Sequence, residues 1–435
     1  MERVFVISYI YPPCDKTGAD RALAISKYFH LNGYYPVILT RNWDYPLKED
    51  LDYMRSTGDH IVEKNYDGHQ EVYLPYEGNF RTRFKIKYLN RFKLLSKVLF
   101  FIDFLLMSIG IYRFSEYKIF YDYLFQYFKT HNDVKKIIII GAPFHMFHIG
   151  FLLKKRFNVE WIADYRDDWT TSEIQSNKFM SVFHKIIYQF ECKAEKKWVS
   201  TASYITSVSD VYTKRIADYV GVAGETVMNG YYEEQYQDSK PEAYTLFNEF
   251  TIFHNGTLYP TQKVEIFLEG YKLFIDDRIR GTNKCKLLFI GIRYWEGISE
   301  KIESVLKGYE DYFELTYRIP KQELIDIMMR SHVNLMISHG KHIRGIASSK
   351  IFDYMMSRKP VICSPSDGDI VEELLTRSGQ GVFCETPQEV YQELCKLSEK
   401  YMQKEPYDSP FNEEEVVQFS RRVQTKRFAM LLDKM

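Results

Sequence analysis

The sequence predicts an α/β protein of two doubly wound domains facing each other across a cleft. Three observations carry this. Short apolar runs alternate with helix-length segments from the first residues; the alternation breaks at a polar, proline-interrupted stretch; and it then restarts. Near-continuously apolar strands separated by helices mean a parallel sheet covered on both faces. A length of 435 residues leaves room for two or three domains.

The elements follow in order. Residues 4–10, 36–40, 136–140, 161–164 and 204–208 read as strands, with a helix over 19–31, and residues 226–228 lead into the turn dipeptide Asn229-Gly230. These make an N-terminal domain over 1–232, and 233–248 reads as a linker. Strands are expected at 251–254, 286–290, 313–315, 333–338, 361–364 and 382–384. Helices are expected at 264–274, 297–307, 322–330, 350–356 and 370–377. They make a C-terminal domain over 249–405. Residues 406–435 read as a final helical segment, packing back on the N-terminal domain.

Hydrophobic residues at 45% exclude a disordered chain. The 58 Lys and Arg balance the 58 Asp and Glu, which argues against a nucleic-acid binder. Six scattered cysteines without a CxxC pair point to reduced cytosolic thiols and to no zinc site. The opening apolar run reads as a buried strand, not a signal peptide. Residues 98–112 are too short, and interrupted by Asp103, to span a bilayer. The expectation is a cytoplasmic protein, soluble or peripheral on the inner face of the plasma membrane. Residues 79–130 are aromatic and basic, with seven Lys or Arg and no acid from Arg81 to Lys97. They read either as an amphipathic element for an anionic membrane surface or as helices packed on the first sheet with solvated cations.

Ligands of such sheets bind beyond the carboxyl ends of strands, so the loops there hold the candidates. The loop YIYPPCDKTGADRA brings Gly18 to a helix start, where backbone approaches a ligand closely. Its spacing is not GxGxxG, so a dinucleotide fingerprint is absent. GAPFHMFHIG offers His145 as a proton shuttle or hydroxyl partner, with His148 read as structural. WIADYRDDW clusters Asp164, Arg166, Asp167 and Asp168, the arginine orienting the carboxylates and depressing their pKa values. The intervening arginine competes with a metal, and none is expected. SHGKHIRGIASSK supplies Arg344, Ser348, Ser349 as an N-cap, and Lys350 as a diphosphate site, with Asp353 three residues on for ribose hydroxyls. Gly256 and Gly291 end two strands where backbone meets ligand, and Lys263 adds charge.

In this order, the stretches YIYPPCDKTGADRALAISKYF, APFHMFHIGFLLKK, WIADYRDDW, ITSVSD, MNGYYEE, FHNGTLYPTQK and SSKIFDYMMSRKPVICSPSDGD resemble bacterial family 4 glycosyltransferases of the GT-B fold, over nearly the full chain. The resemblance implies two Rossmann-like domains and retaining transfer of a sugar from a nucleotide diphosphate sugar. It implies no cofactor and no metal, side chains and helix amides stabilising the leaving diphosphate. Gly18 falls in the family's acceptor-side glycine loop, with Arg166 and His145 as further acceptor contacts. Asp353 matches the second acid of the paired-glutamate motif, and Gly345 stands where the first is expected. Thr257 and Gln262 stand at the family's phosphate-binding Arg and Lys, leaving Lys263, Arg344 and Lys350 as the cations. His145, Asp167 and Lys263 are the catalytic candidates. The acceptor is expected to be a lipid-linked or growing glycan in capsule, O-antigen or exopolysaccharide synthesis. The competing readings are a catalytically silent nucleotide-sugar-binding scaffold, motivated by Gly345, Thr257 and Gln262, and a nucleotide-sugar epimerase on the same fold.

Overall fold

A computed structural model describes residues 1–14, 18–43, 52–88, 91–173, 182–236, 243–282, 284–294, 296–403 and 411–435. The chain divides into two compact units, Met1–Met228 with Thr425–Met435, and Asn229–Gln424.

The first unit runs β1 (Glu2–Ile7), α1 (Ala19–Tyr28), β2 (Tyr34–Arg41), β3 (Val62–Asn65), β4 (Gln70–Leu74), α2 (Phe80–Tyr88), α3 (Lys93–Ser108), α4 (Lys118–Thr130), β5 (Lys136–Ile140), α5 (Phe147–Phe157), β6 (Glu160–Tyr165), α6 (Val182–Val199), β7 (Tyr204–Ser207), α7 (Asp210–Val220) and β8 (Gly224–Thr226). Its sheet has the order β3-β4-β2-β1-β5-β6-β7-β8, parallel except for β3 against β4. The chain reverses its winding direction between β1 and β5, so the loops carrying Gly18 and His145 leave neighbouring strands at the switch point.

The second unit runs β9 (Phe250–Asn255), α8 (Val264–Phe274), β10 (Cys285–Ile290), α9 (Glu296–Val305), β11 (Phe313–Leu315), α10 (Lys321–Arg330), β12 (Val333–Met336), α11 (Lys350–Met356), β13 (Val361–Cys363), α12 (Ile370–Ser378), β14 (Gly381–Phe383), α13 (Pro387–Met402) and α14 (Glu413–Val417), and the last helix, α15 (Arg421–Asp433), belongs to the first unit from Thr425 on. The sheet order is β11-β10-β9-β12-β13-β14, parallel throughout. Here the switch lies between β9 and β12, whose exits carry Gly256 and the 339–350 loop.

Caps explain where several helices begin and end. Ser209 accepts the Tyr212 N–H at the start of α7, and Gly221 closes it at φ +73°. Thr386 and Glu389 form a reciprocal capping box on α13, with Pro387 in its first turn. The end of α15 completes the first core: Phe428, Leu431 and Leu432 are buried with Val4, Ile38 and Ile138. Tyr34 donates to Asp433 Oδ1 at 2.6 Å.

The unit boundary falls after Met228, and the expected linker, 233–248, lies within the second unit. Tyr236 is buried there, 5% exposed, and bonds Asp353, while Tyr244 and Phe247 are half-buried. Residues 237–242 of that linker, and 15–17 of the Gly18 loop, lie outside the described residues. The segment 406–435 is two helices, α14 and α15, with 406–410 outside the described residues.

Candidate functional site

Gly256 and Gly291 sit at the ends of β9 and β10 with φ +78° and +83°, a left-handed conformation that side chains resist. They are neighbours: a Cβ on Gly291 would stand 3.6 Å from Gly256 Cα, and one on Gly256 would stand 3.7 Å from Lys350 Nζ. Backbone from two strand exits and one ammonium therefore form a single small surface.

Lys350 opens α11 and turns its Nζ inward, 3.5 Å from both the Thr257 carbonyl oxygen and His254 Nε2. His254 Nδ1 lies 2.8 Å from the Leu335 carbonyl, which fixes the proton there and leaves Nε2 to accept. Burial holds the Lys350 ammonium down to about 8. Its charge in turn helps to keep His254 and His339 neutral, after burial itself; His339 falls to about 4. Lys350 is thus a desolvated cation facing imidazoles and a carbonyl, a site that an anion would complete.

Asp353, one turn on, goes a different way. Its Oδ1 accepts from Tyr236 Oη at 2.7 Å and its Oδ2 from Lys321 Nζ at 2.6 Å. Both oxygens keep lone pairs for a further donor. Arg344 is exposed and lies 3.3 Å from Asp369, which also accepts the Gly345 N–H. Gly345 has φ +87°, so the acid expected there meets a backbone that suits glycine, and the local carboxylate comes from Asp369. Gln262 is structural: buried, its Oε1 accepts the Tyr259 N–H at 2.7 Å and its Nε2 donates to the Ile337 carbonyl at 2.5 Å. Lys263 is exposed at the start of α8. Ser349 does not cap α11 with its side chain: its backbone is already helical (φ −60°, ψ −26°). Ser348 contributes its carbonyl, accepting the Ile351 N–H.

In the first unit, Gly18 immediately precedes α1 and packs against Arg166, whose Nη1 would lie 2.2 Å from a Cβ there. The structure brings these two acceptor candidates together. The acidic cluster, however, divides into three separate pairs. Among the described residues Arg166 pairs with the exposed Asp167, at 2.9 Å. Asp168 turns to Arg215 at 3.0 Å, and Asp164 to the buried Arg21 at 3.3 Å. The expected depression fails at Asp168, whose carboxyl is raised because burial outweighs Arg215.

His145 is buried, with its ring edge-on to Phe104 and Trp169. It lines a cavity of about 560 Å³ that also touches Arg81, Phe100, Tyr188 and Glu191. Burial, then His148, lowers His145 to about 4; burial raises Glu191 to about 7 although the Trp169 indole bonds it. Their 3.6 Å approach is therefore a contact between two neutral groups from about pH 4 to 7, not an ion pair. His145 Nε2 has no hydrogen-bond partner among the described residues. A histidine this hard to charge does not shuttle protons at neutral pH, but it still donates or accepts a hydrogen bond. His148 accepts or donates to Tyr121 Oη at 3.1 Å and stacks near Trp198.

Sequence reasoning missed Lys321, Tyr236, His254, Asp369 and Glu191. Their only local signals were polar residues beside strands or on helices, and their partners are distant in the chain.

Residues 249–400 match the family model Glycosyl transferases group 1. This stretch is a glycosyltransferase domain. It contains Gly256, Lys263, Gly291, Lys321, Arg344, Lys350, Asp353 and Asp369, while Tyr236 lies before it. No curated protein matches the chain in sequence. Among solved structures, the chain is similar to sucrose-phosphate synthase from Thermosynechococcus elongatus (12% identity, TM-score 0.61, covering 100% of this chain and 99% of that one). It is also similar to a UDP-forming α,α-trehalose-phosphate synthase from Burkholderia vietnamiensis (12%, TM-score 0.63, 100% and 99%). A third is an E. coli trehalose-6-phosphate protein bound with UDP-2-fluoro glucose (13%, TM-score 0.63, 100% and 99%). At these identities the likeness establishes the GT-B fold, two Rossmann-like α/β domains with mainly parallel sheets. Among the described residues no group of His, Cys, Asp and Glu is placed to hold a metal.

Proposed function

We propose that the chain is a retaining glycosyltransferase of family 4 type, moving a sugar from a nucleotide diphosphate sugar to a lipid-linked or growing glycan acceptor. The observation that carries this is Lys350, a half-buried lysine whose ammonium has neutral neighbours, beside the two glycine strand ends of a glycosyltransferase domain. Its charge meets the diphosphate as the glycosidic bond to it breaks, and Gly256 and Gly291 let the phosphates approach backbone. Lys263 and Arg344 add cations at the edge. Asp353, steadied by Lys321 and Tyr236, accepts from the ribose hydroxyls. No metal or other cofactor takes part in this reading. In the first unit Gly18, Arg166 and His145 hold the acceptor, and Asp167 receives the proton of the attacking hydroxyl.

The place of action is the cytoplasm, against the inner face of the plasma membrane, in cell-surface polysaccharide synthesis. A second reading, a silent nucleotide-sugar-binding scaffold, is favoured by the structural use of Gln262 and by Gly345. A thermal-shift panel of nucleotide sugars, followed by assay of nucleoside diphosphate release, separates the two. Release that rises with a glycan acceptor supports transfer. Binding without release, with acceptor present, supports the scaffold; no binding of any nucleotide sugar overturns both.

A further inference from the structure

Two helices of the first unit carry more apolar surface than their fold buries. In α3 the only acid, Asp103, is buried, accepting from Asn79 Nδ2 at 2.7 Å and paired with Arg81 at 3.1 Å. Several of its apolar residues stand outside: Leu94 is 78% exposed, and Leu95, Val98 and Ile102 are exposed with it. A helix with its one carboxylate inward and Leu94, Leu95 and Val98 outward is inverted relative to one that faces water.

The helix α6 has two apolar faces. Ile187, Ala194 and Trp198 are buried, whereas Phe183, Ile186 and Phe190, spaced by three and four residues, form a second, exposed stripe. The two helices meet at Phe101 and Phe183, whose rings are 5.4 Å apart, so their outer faces are continuous. Contiguous apolar area of this kind marks an interaction surface.

Charge selects the occupant. Lys85, Lys87, Lys93 and Lys97 are exposed and have no carboxylate partner among the described residues. A second copy of the chain in a two-fold contact would set these cations against themselves. No helix among the described residues is long and apolar enough to cross a membrane, so a lipid partner is met at its surface.

We infer that the joined outer faces of α3 and α6 are a docking surface for an anionic lipid bilayer. The phenylalanines and leucines sit at the acyl boundary and the lysines against the headgroups. This deepens the membrane-facing part of the proposed function by naming the surface, and it requires no transfer activity.

The test is co-sedimentation of the full chain with vesicles of phosphatidylcholine alone or mixed with phosphatidylglycerol. Partitioning onto the mixed vesicles is expected to be at least about ten-fold stronger and to weaken with salt. Changing Lys85, Lys87, Lys93 and Lys97 to Glu removes that preference. Leu94→Ser weakens binding to the mixed vesicles, with the melting temperature unchanged because that side chain is 78% exposed. Equal partitioning to the two lipids overturns the inference, as does unaltered pelleting of both variants. A vesicle-free dimer that Phe183→Asp dissociates overturns it in favour of a second copy. Nucleoside diphosphate release is read on the same samples. Its loss with lipid binding intact counts against the transferase reading alone, and lost lipid binding with turnover intact counts against docking alone.

Discussion

Lys350→Met separates stability from binding. The ammonium pKa falls from 10.5 to about 8 through burial, so the folded state carries a cost of about 3 kcal/mol for the charged form relative to the unfolded chain. The unfolded state binds more protons between these values, so stability rises as pH climbs from about 8 to 10.5, and the full cost is present below 8. Methionine keeps the length of the side chain and removes the charge. The variant should therefore be more stable than the parent by up to about 3 kcal/mol at pH 7, with the gain gone above pH 10.5. Its affinity for UDP or GDP should fall by about 1.5–3 kcal/mol, roughly 10- to 150-fold, as a charge-assisted contact to phosphate is lost. Urea unfolding at both pH values and titration calorimetry read the two effects. Bound diphosphate restores the ammonium, so parent-protein binding near pH 8.5 takes up protons, visible as a buffer-dependent heat. A variant less stable than the parent at pH 7, or one that binds UDP and GDP as tightly, refutes the reasoning.

Three further outcomes follow from the same geometry. Gly18 has φ −62°, which alanine accepts, but its Cβ would displace the Arg166 guanidinium. Gly18→Ala should melt within about 1 kcal/mol of the parent while raising the acceptor KM. Asp353→Asn should weaken donor binding by about 1–3 kcal/mol, read by calorimetry with UDP- and GDP-sugars, as the charge shared with Lys321 goes. Glu191 is raised from 4.5 to about 7 by burial, so its contribution to stability falls as pH rises through that window. Glu191→Gln should match the parent near pH 4.5 and exceed it by up to about 3 kcal/mol at pH 8 in urea unfolding.

The sheets were legible because their strands are buried on both faces, which leaves unbroken apolar runs such as Val4–Ile7 and Ile137–Ile140. The antiparallel edge was not: β3 is Val-Glu-Lys-Asn with three exposed residues, a strand that alternation and apolarity both hide. The helix α13 was overlooked despite a Thr-Pro-Gln-Glu capping box, a local signal that apolar periodicity ignores.

The candidate site divides along a similar line. Glycines at strand ends were readable, since a left-handed turn needs them whatever lies nearby. Charges were harder, because their effect depends on partners that sequence spacing does not reveal. Asp164, Arg166, Asp167 and Asp168 lie within five consecutive positions yet join three unconnected pairs, two of them closed by Arg21 and Arg215. Gly345 gives the converse case. The expected acid is missing from the motif, but Asp369, 24 positions on, brings a carboxylate to the same backbone amide. A motif read as a string counts this as a loss; read as a distribution of charge around one turn of chain, a carboxylate still stands beside it. Whether Asp369 restrains Arg344 or yields it to a phosphate then depends on the bound anion, since the guanidinium is exposed to solvent while the carboxylate is sheltered and already held by the Gly345 amide.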